Sequence, residues 1–255
     1  HPDMLRAVST GQVPIAEFLL GQFGNEEAVF NADNVPFLAA GFDSAWKLYQ
    51  AQKSVLQKKL EGRSLVLLYS VAWPGQGLYT RNLIKSADDF KGVKFRTYSA
   101  YTARFAELLG ASPTVIQVPE VPQAFATGTI SAMITSAATG STTKAWEFVK
   151  NYYATNAMHP KNVVVVNNRA YQGLSGAQKK ILTDAAAAAE KRGWDLARQR
   201  TQSAEKMLAD NGMTVHAPDA ALMSALGKIG DTIGAEWLKA AGADGEAIVK
   251  AYRGK

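Results

Sequence analysis

Cysteine is absent from the 255 residues of this chain. Its absence excludes disulfide bonds, cysteine nucleophiles and cysteine-ligated metals, but it does not identify the compartment in which the protein acts. No apolar run approaches the roughly 18 residues that cross a bilayer as a helix. The chain also begins without a basic and then apolar leader, and an amphipathic pattern is already under way at Met4. We therefore expect a segment, including a removed signal peptide, to be missing upstream.

Motifs that carry catalysis are equally scarce. The sequence has no Gly-x-Ser-x-Gly elbow, no phosphate-binding loop and no His-Glu-x-x-His pair. Its three histidines, His1, His159 and His216, have no partner at metal-ligand spacing. His159 is interpreted as a loop or surface residue, with a general base as the alternative. We predict a protein that is not an enzyme and that has no metal and no cofactor.

The formal net charge is +6 and the pI is about 9.4. The basic residues are scattered, with no block of five or six and no interleaved aromatics. This distribution argues against nucleic acid as a partner. The positive balance fits either an acidic ligand or solubility alone.

Short β-rich runs alternate with helical stretches along the chain. The predicted strands are 13–17, 65–71, 93–98, 114–118, 130–136, 162–167 and 213–215. The predicted shorter helices are 43–61, 101–109, 120–127 and 143–153. Strands separated by helices at these spacings predict an α/β fold with mostly parallel sheets.

A long helical pattern begins at Ser175, where Ser175 and Gln178 form a capping box, and continues to Asn211. A helix of this length would measure about 50 Å. It must therefore either bridge two lobes or break, with Gly193 as the candidate break. The last helix carries a single apolar stripe: Leu222, Leu226, Ile229, Ile233 and Trp237.

Arg96 lies in the predicted strand at 93–98, whose alternation places Lys94, Arg96 and Tyr98 on one face. A guanidinium near the end of a buried strand is costly unless a carboxylate pairs with it. The pattern leaves two partners open, an internal Asp or Glu and the carboxylate of a ligand.

Several segments together resemble one known family. DDFKGVKFR at 88–96 is similar to the "adLKGlKiR" signature of DctP-type binding proteins of tripartite ATP-independent periplasmic (TRAP) transporters. LGASP at 109–113, VPEVPQAFATGTISA at 118–132, RAVSTG at 6–11 and VPFL at 35–38 resemble further family motifs in the same order. The resemblance therefore covers almost the whole chain.

This resemblance implies a two-lobed periplasmic-binding-protein fold, type II-like, with a long helix spanning both lobes. It also implies that the first β-α-β unit of the family is missing from this sequence. Residues 1–72 with 161–200 would form one lobe, and residues 73–160 with 201–255 the other.

The resemblance also implies a function. It predicts a monomeric periplasmic protein that closes around a small organic acid and delivers it to the membrane subunits of a TRAP permease. Two alternatives remain: a binding protein that feeds a signalling receptor, and an enzyme on a similar two-lobed scaffold.

Arg96 matches the arginine with which the family clamps the ligand carboxylate. Thr135 and the neighbouring Ser136 stand where the family usually has Asn, and a hydroxyl offers fewer hydrogen bonds than an amide. Many members carry a second arginine in the stretch aligned with 73–79, but this chain supplies Trp73 and Tyr79 instead. That exchange favours a monocarboxylate with an aryl or aliphatic body. Packing of Trp73 in the core is the alternative.

Four further residues complete the predicted site. Glu17 would bind a ligand hydroxyl or amine, or act as a structural partner. Asn162 is a polar candidate at the start of a strand. Phe37 and Tyr98 would line the cleft, although aromatic side chains also commonly belong to the core.

Overall fold

The computed structural model describes residues 3–254. Its strands are β1 (Ile15–Leu19), β2 (Leu65–Ala72), β3 (Gln76–Thr80), β4 (Lys94–Thr97), β5 (Ser112–Val115), β6 (Ala132–Ser136), β7 (Asn151–Tyr153), β8 (Lys161–Asn167) and β9 (Thr214–His216). Its α-helices are α1 (Met4–Ser9), α2 (Phe42–Glu61), α3 (Ala100–Leu108), α4 (Val121–Ala126), α5 (Ala137–Thr142), α6 (Asn168–Gln172), α7 (Gly176–Asp210) and α8 (Ala220–Arg253). Within residues 3–254, none of the helices combines the length and the apolar character that a membrane crossing requires. The predicted α/β class is confirmed.

The first sheet has β8 at its centre, with β1 and β2 paired antiparallel on its two sides. Side chains alternate along β1, so Ala16 and Phe18 are buried whereas Glu17 is exposed. Helix α2 covers the buried face, where Leu48 and Leu56 join the core of this lobe. Glu17 is thereby left on the open side of the sheet.

The second sheet has the strand order β5-β4-β6-β3-β7-β9. Only the pairs β4–β5, β4–β6 and β7–β9 are parallel, whereas β3 runs antiparallel to both β6 and β7. The prediction of mostly parallel sheets is therefore wrong. Local sequence patterns do not show that β3 pairs with strands 50 or more residues away in the chain, and that pairing sets its direction.

The predicted helix at 143–153 is also wrong. Helix α5 already ends at Thr142, and Lys144 adopts a left-handed backbone conformation (φ 52°) that turns the chain. After a short 3₁₀ turn at Ala145–Glu147, the chain forms β7. The aromatic pair Tyr152 and Tyr153 is buried there, which is a role for which aromatic residues suit a strand.

Helix α7 runs without interruption and connects the two sheets. The predicted capping box is confirmed: Ser175 Oγ accepts from the Gln178 amide at 3.2 Å, and Gln178 Oε1 accepts from the Ser175 amide at 2.8 Å. The first part of α7 packs on β2, where the Trp194 indole donates to Ser70 O at 2.8 Å. Its last part packs with α5 and β9, and Leu208 is buried in the second lobe. The bridging alternative is therefore correct, and the helix does not break at Gly193.

Helix α8 also contacts both lobes. Leu222, Leu226 and Ile233 lie in the core under the second sheet. Trp237, and Ile248 beyond the kink at the non-helical Gly242, lie instead in the core of the first sheet. Helix α8 therefore contributes side chains to both cores, and the division of the chain into two lobes at the stated residues stays a prediction.

Candidate functional site

The two sheets face each other across a cleft that contains a cavity of about 660 Å³. The first sheet contributes Glu17, Leu19 and Asn162, and the crossing segments contribute Trp73 and Pro160. The second sheet and the segments around it contribute Gln76, Arg96, Tyr98, Gln117, Val118, Pro119 and Thr135, and α7 contributes Arg200. The cavity is therefore built by both lobes and by the helix that connects them.

Arg96 lies on β4 between two parallel neighbours, β5 and β6, and is only 2% exposed. Its Nε donates to Ile116 O at 2.9 Å and its Nη1 to Ile134 O at 3.4 Å. The Tyr98 ring lies 5.4 Å from the centre of the guanidinium. Among residues 3–254, no carboxylate forms an ion pair with it. The internal salt bridge that the sequence left open is therefore not present in the described part of the chain.

Burial of this cation has an electrostatic consequence. Desolvation lowers the pKa of Arg96 to about 10, an effect opposed by the nearby Tyr98. Two of the five guanidinium N–H donors are used by the two backbone carbonyls. The remaining donors are available to a group in the cavity, and a carboxylate matches their planar geometry.

Thr135 and Tyr98 lie beside Arg96 in the cavity wall. Thr135 is on β6, the strand next to β4, and is buried. The Tyr98 hydroxyl is buried without a hydrogen-bond partner among residues 3–254, and desolvation raises its pKa. Thr135 brings a hydroxyl-bearing side chain to the part of the cavity wall that holds the guanidinium, whereas the Tyr98 hydroxyl is buried beneath that wall.

On the opposite wall, three side chains form a chain of hydrogen bonds. Trp73 Nε1 donates to Asn162 Oδ1 at 2.9 Å, and Asn162 Nδ2 donates to Glu17 Oε1 at 2.6 Å. Trp73 is 39% exposed, so this side chain is not packed in the core, which was the alternative to a place in the site. Each of the three side chains lines the cavity.

Three of the predicted site residues lie outside the cavity lining. The Tyr79 ring is buried 4.6 Å from the Tyr152 ring, and its hydroxyl donates to Ser136 O at 3.0 Å. Ser136 Oγ accepts from the Thr139 amide at 3.1 Å, so it caps α5. Phe37 packs with the second-lobe core beside α8. Packing and capping, which sequence patterns do not resolve, determine these three positions.

Sequence reasoning missed Arg200 and Gln76, both of which line the cavity. Arg200 is on α7, and its Nη2 donates to Ser141 Oγ at 3.1 Å. The available signal was helical spacing, since Arg200 stands seven residues after Gly193 and four before the buried Ala204. No comparable signal marks Gln76, whose side chain donates to Pro74 O at 2.9 Å.

A buried ion pair supports the floor of the cleft. Lys161 Nζ lies 3.2 Å from Asp33 Oδ2, and neither side chain is accessible to any substantial degree. Burial lowers the pKa of Lys161, and the charge of Asp33 opposes that shift. Asp33 Oδ2 also accepts from the Lys161 amide at 2.5 Å, so the pair fixes the start of β8 immediately before Asn162.

Metal-ligating side chains do not converge in this region. Within residues 3–254, no group of three or more His, Asp or Glu side chains is placed to hold a metal ion. The cavity instead combines one buried cation with a mostly apolar wall, an arrangement suited to holding a small anion.

Comparisons with known proteins agree with this geometry. A family model for bacterial extracellular solute-binding proteins of family 7 (DctP) matches residues 1–236. The chain is 28% identical over 189 residues to the sialic acid-binding periplasmic protein SiaP of Vibrio cholerae, covering 71% of this chain and 58% of that protein. The chain spans less than two thirds of the length of SiaP and of the other curated relatives that it matches.

Two solved structures are particularly similar. DctP6, a Bordetella pertussis extracytoplasmic solute receptor that binds pyroglutamic acid, is 46% identical with a TM-score of 0.97, and the match covers 100% of this chain and 84% of that chain. A marine metagenome TRAP solute-binding protein specific for pyroglutamate is 38% identical with a TM-score of 0.96, covering 99% of this chain and 83% of that chain. Both matches include the two sheets and the cleft between them.

Proposed function

The chain belongs to family 7 of the bacterial extracellular solute-binding proteins, and on that premise we propose that it captures a small monocarboxylate in the periplasm for a TRAP permease. The lobes close around the ligand and exclude water, which strengthens the electrostatic contacts inside the cleft. The ligand is bound and released unchanged. The family consists of transport proteins of this kind, and it supplies the expectation of a membrane permease as partner.

The single observation that carries the proposal is the uncompensated Arg96. A buried guanidinium without a carboxylate partner in residues 3–254 is unfavourable until an anion enters the cavity. A ligand carboxylate would accept from the free guanidinium donors, with Thr135 beside it in the cavity wall to complete its hydrogen bonds.

The rest of the wall favours a ligand with a small, weakly polar body. Leu19, Val118 and Pro119 line the cavity together with the Trp73 ring. DctP6 and the marine metagenome protein bind pyroglutamate, and they are 46% and 38% identical to this chain. We therefore propose pyroglutamate, or a carboxylate of similar size, as the ligand.

Calorimetric titration with pyroglutamate tests this proposal. Arg96→Met removes the charge and keeps most of the apolar stem, so it separates recognition from packing. We expect wild-type protein to bind and the variant to lose about 2–5 kcal/mol of binding free energy, which is on the order of 30-fold or more in Kd. Thermal unfolding of both proteins without ligand shows whether the variant is folded.

Arg104→Met is the matched control, because Arg104 is an exposed arginine paired with Glu236 outside the cavity lining. It should bind pyroglutamate as wild type does. Equal affinity of wild type and Arg96→Met would contradict the assignment of the site. Mass spectrometry of the released ligand checks that it is unchanged, and conversion would favour an enzyme instead.

A further inference from the structure

Glu17 places a carboxylate at the cavity wall, and the proposed capture of a ligand carboxylate by Arg96 does not use it. It lies on the first sheet, on the wall of the cavity formed by the first lobe, whereas Arg96 belongs to the second sheet. Glu17 forms no ion pair with any basic side chain of residues 3–254. The cavity thus has the cation Arg96 on one wall and the anion Glu17 on the other, and neither forms an ion pair within residues 3–254.

The hydrogen-bond chain fixes what Glu17 offers to a ligand. An indole N–H is only a donor, so Trp73 orients the Asn162 amide with its oxygen toward Trp73. Asn162 Nδ2 is then directed to Glu17 Oε1 at 2.6 Å. Rotation of the amide would place two donors against each other and an oxygen against the carboxylate. Asn162 therefore holds Glu17 in place as an acceptor.

The backbone supports the same arrangement. Leu19 pairs with Asn162 and Glu17 with Val164 in the antiparallel ladder of β1 and β8. Glu17 and Asn162 are therefore diagonal neighbours on one face of the sheet, within reach of each other. Because β8 is the central strand and Lys161 is anchored by Asp33, Asn162 is set on a rigid part of the molecule.

We propose that Glu17 determines ligand specificity by accepting a hydrogen bond from an N–H group of the bound carboxylate. The inference rests on the proposed function, because the ligand is held at its acid end by Arg96. The class of ligand is a small carboxylate whose ring or chain also carries an N–H donor, either a neutral lactam or a cationic amine.

Glu17 would discriminate against oxygen or carbon analogues of the ligand, because they lack the N–H donor. When the lobes close, Glu17 loses water, and an analogue with a ring oxygen would place a lone pair against the carboxylate. A site built to hydrogen-bond a ligand N–H rejects analogues that leave its own group unpaired. We expect the lactam to bind at least about tenfold more tightly than an otherwise equal lactone.

The experiment compares three ligands by calorimetric titration: pyroglutamate, its lactone analogue 5-oxotetrahydrofuran-2-carboxylate, and proline. The first two differ only in the ring N–H or oxygen, and proline supplies a cationic N–H. The tighter of the two nitrogen ligands identifies which kind of donor the site takes. The measured quantity is the Kd of the lactone divided by the Kd of the tighter nitrogen ligand.

Glu17→Gln is the decisive variant, since it is isosteric and Glu17 is exposed, so folding is retained. The Gln oxygen accepts from Asn162, and its NH₂ group is then directed at the ligand as a donor. We expect the ratio to fall by at least about tenfold, toward a preference for the lactone. Glu26→Gln, which removes a carboxylate paired with Arg63 outside the cavity lining, should leave the ratio unchanged.

The outcomes separate this inference from the proposed function. If Arg96→Met abolishes binding while Glu17→Gln leaves the ratio at its wild-type value, the role of Glu17 is overturned and carboxylate capture stands. If the wild-type protein binds lactone and nitrogen ligands equally, the role of Glu17 is likewise overturned. If no carboxylate binds the wild-type protein, both proposals fail.

Discussion

Buried ionisable side chains are concentrated just below the cleft. Lys161 and Asp33 form the buried pair, and His159 stands two residues before Lys161 where the chain returns to the first sheet. A ring nitrogen of His159, Nδ1, lies 3.1 Å from Trp73 O, and its ring centre is 4.7 Å from that of Phe42. The sequence-based interpretation of His159 as a loop or surface residue is wrong about its exposure, because the side chain is buried.

The protonation state of His159 follows from this environment. Nε2 is buried without a partner in residues 3–254, so a proton on it would be neither hydrated nor bonded. Desolvation lowers the pKa of His159 to about 4, and the nearby positive charges of Lys161 and Arg198 act in the same direction. The bond to Trp73 O opposes the shift, and it is satisfied by the neutral ring with its proton on Nδ1.

This depressed pKa predicts a pH-dependent stability. Between about pH 6.5 and pH 4 the unfolded chain binds a proton at His159 that the folded protein does not, so the free energy of unfolding decreases as the pH falls. The loss attributable to this residue is at most about 3 kcal/mol. Urea unfolding of wild type and His159→Gln between pH 4.5 and 7.5 measures it. The slope should be shallower in the variant and retained in His216→Gln, and equal slopes in all three proteins would contradict the prediction.

At the scale of secondary structure, the close packing of α7 on β2 depends on a missing side chain. A Cβ added at Gly193 would overlap Cγ2 of Val71. The adjacent Trp194 is buried against Ser70 and close to Tyr49, and Glu190 accepts from the Tyr49 hydroxyl at 2.7 Å. Gly193 is therefore a packing residue inside a continuous helix, although glycine in a helix usually weakens it.

A pair of glycine substitutions tests this interpretation. Gly193→Ala gains helix propensity but overpacks the contact with Val71, and we expect it to lower the free energy of unfolding by about 1–3 kcal/mol. Gly227→Ala in α8 meets no atom within 4 Å, so it should stabilise by about 0.5–1 kcal/mol. Denaturant unfolding measures both values. A stabilised Gly193→Ala protein would show that the helix yields at this contact.

The elements that the sequence predicts well are those whose signals are local. The capping box at Ser175 and Gln178 locates the start of α7, and the periodicity of 43–61 locates α2. The prediction of a helix at 143–153 fails because the conformation of this segment depends on β3 and β9, which lie on either side of β7 in the sheet. A pattern of apolar and aromatic residues cannot distinguish a short helix from a strand until the neighbours are in place.

At the scale of the whole molecule, the chain passes repeatedly between the two lobes. It crosses at 73–75 and 154–160, and α7 and α8 each pack on both cores. The two crossing segments are joined by hydrogen bonds from Trp73 N to Pro160 O at 2.8 Å and from Gln76 N to Met158 O at 3.0 Å. These connections lie beside the cavity, where the proposed closure would need a hinge, and they couple the stabilities of the lobes.

This coupling predicts cooperative unfolding. Because α7 and α8 complete both cores, loss of either lobe should expose apolar surface in the other. Amide hydrogen exchange under increasing urea should therefore give β8 and β6 the same opening free energy within about 1 kcal/mol. Exchange of β6 through a separate opening of markedly lower free energy would show instead that the lobes unfold independently.

For the site as well, some residues could be proposed from the sequence and others could not. Arg96 was proposed from its strand position together with the family resemblance, and Glu17 and Asn162 from their places at strand ends; all three line the cavity. Tyr79, Ser136 and Phe37 looked equivalent to them, but the structure uses these three in packing or capping. Arg200 and Gln76 line the cavity only because α7 and β3 lie beside it.

By itself, the sequence determined the α/β class, the long helix that begins after Ser175 and a strand-borne arginine suited to an anion, because periodicity, capping and charge placement are properties of neighbouring residues. Only the tertiary structure decided the strand directions, the absence of a carboxylate beside Arg96 within residues 3–254, and the hydrogen bonds from Trp73 to Asn162 and on to Glu17. Those features join residues far apart in the chain. They are fixed by which surfaces pack together, and a linear pattern does not contain that information.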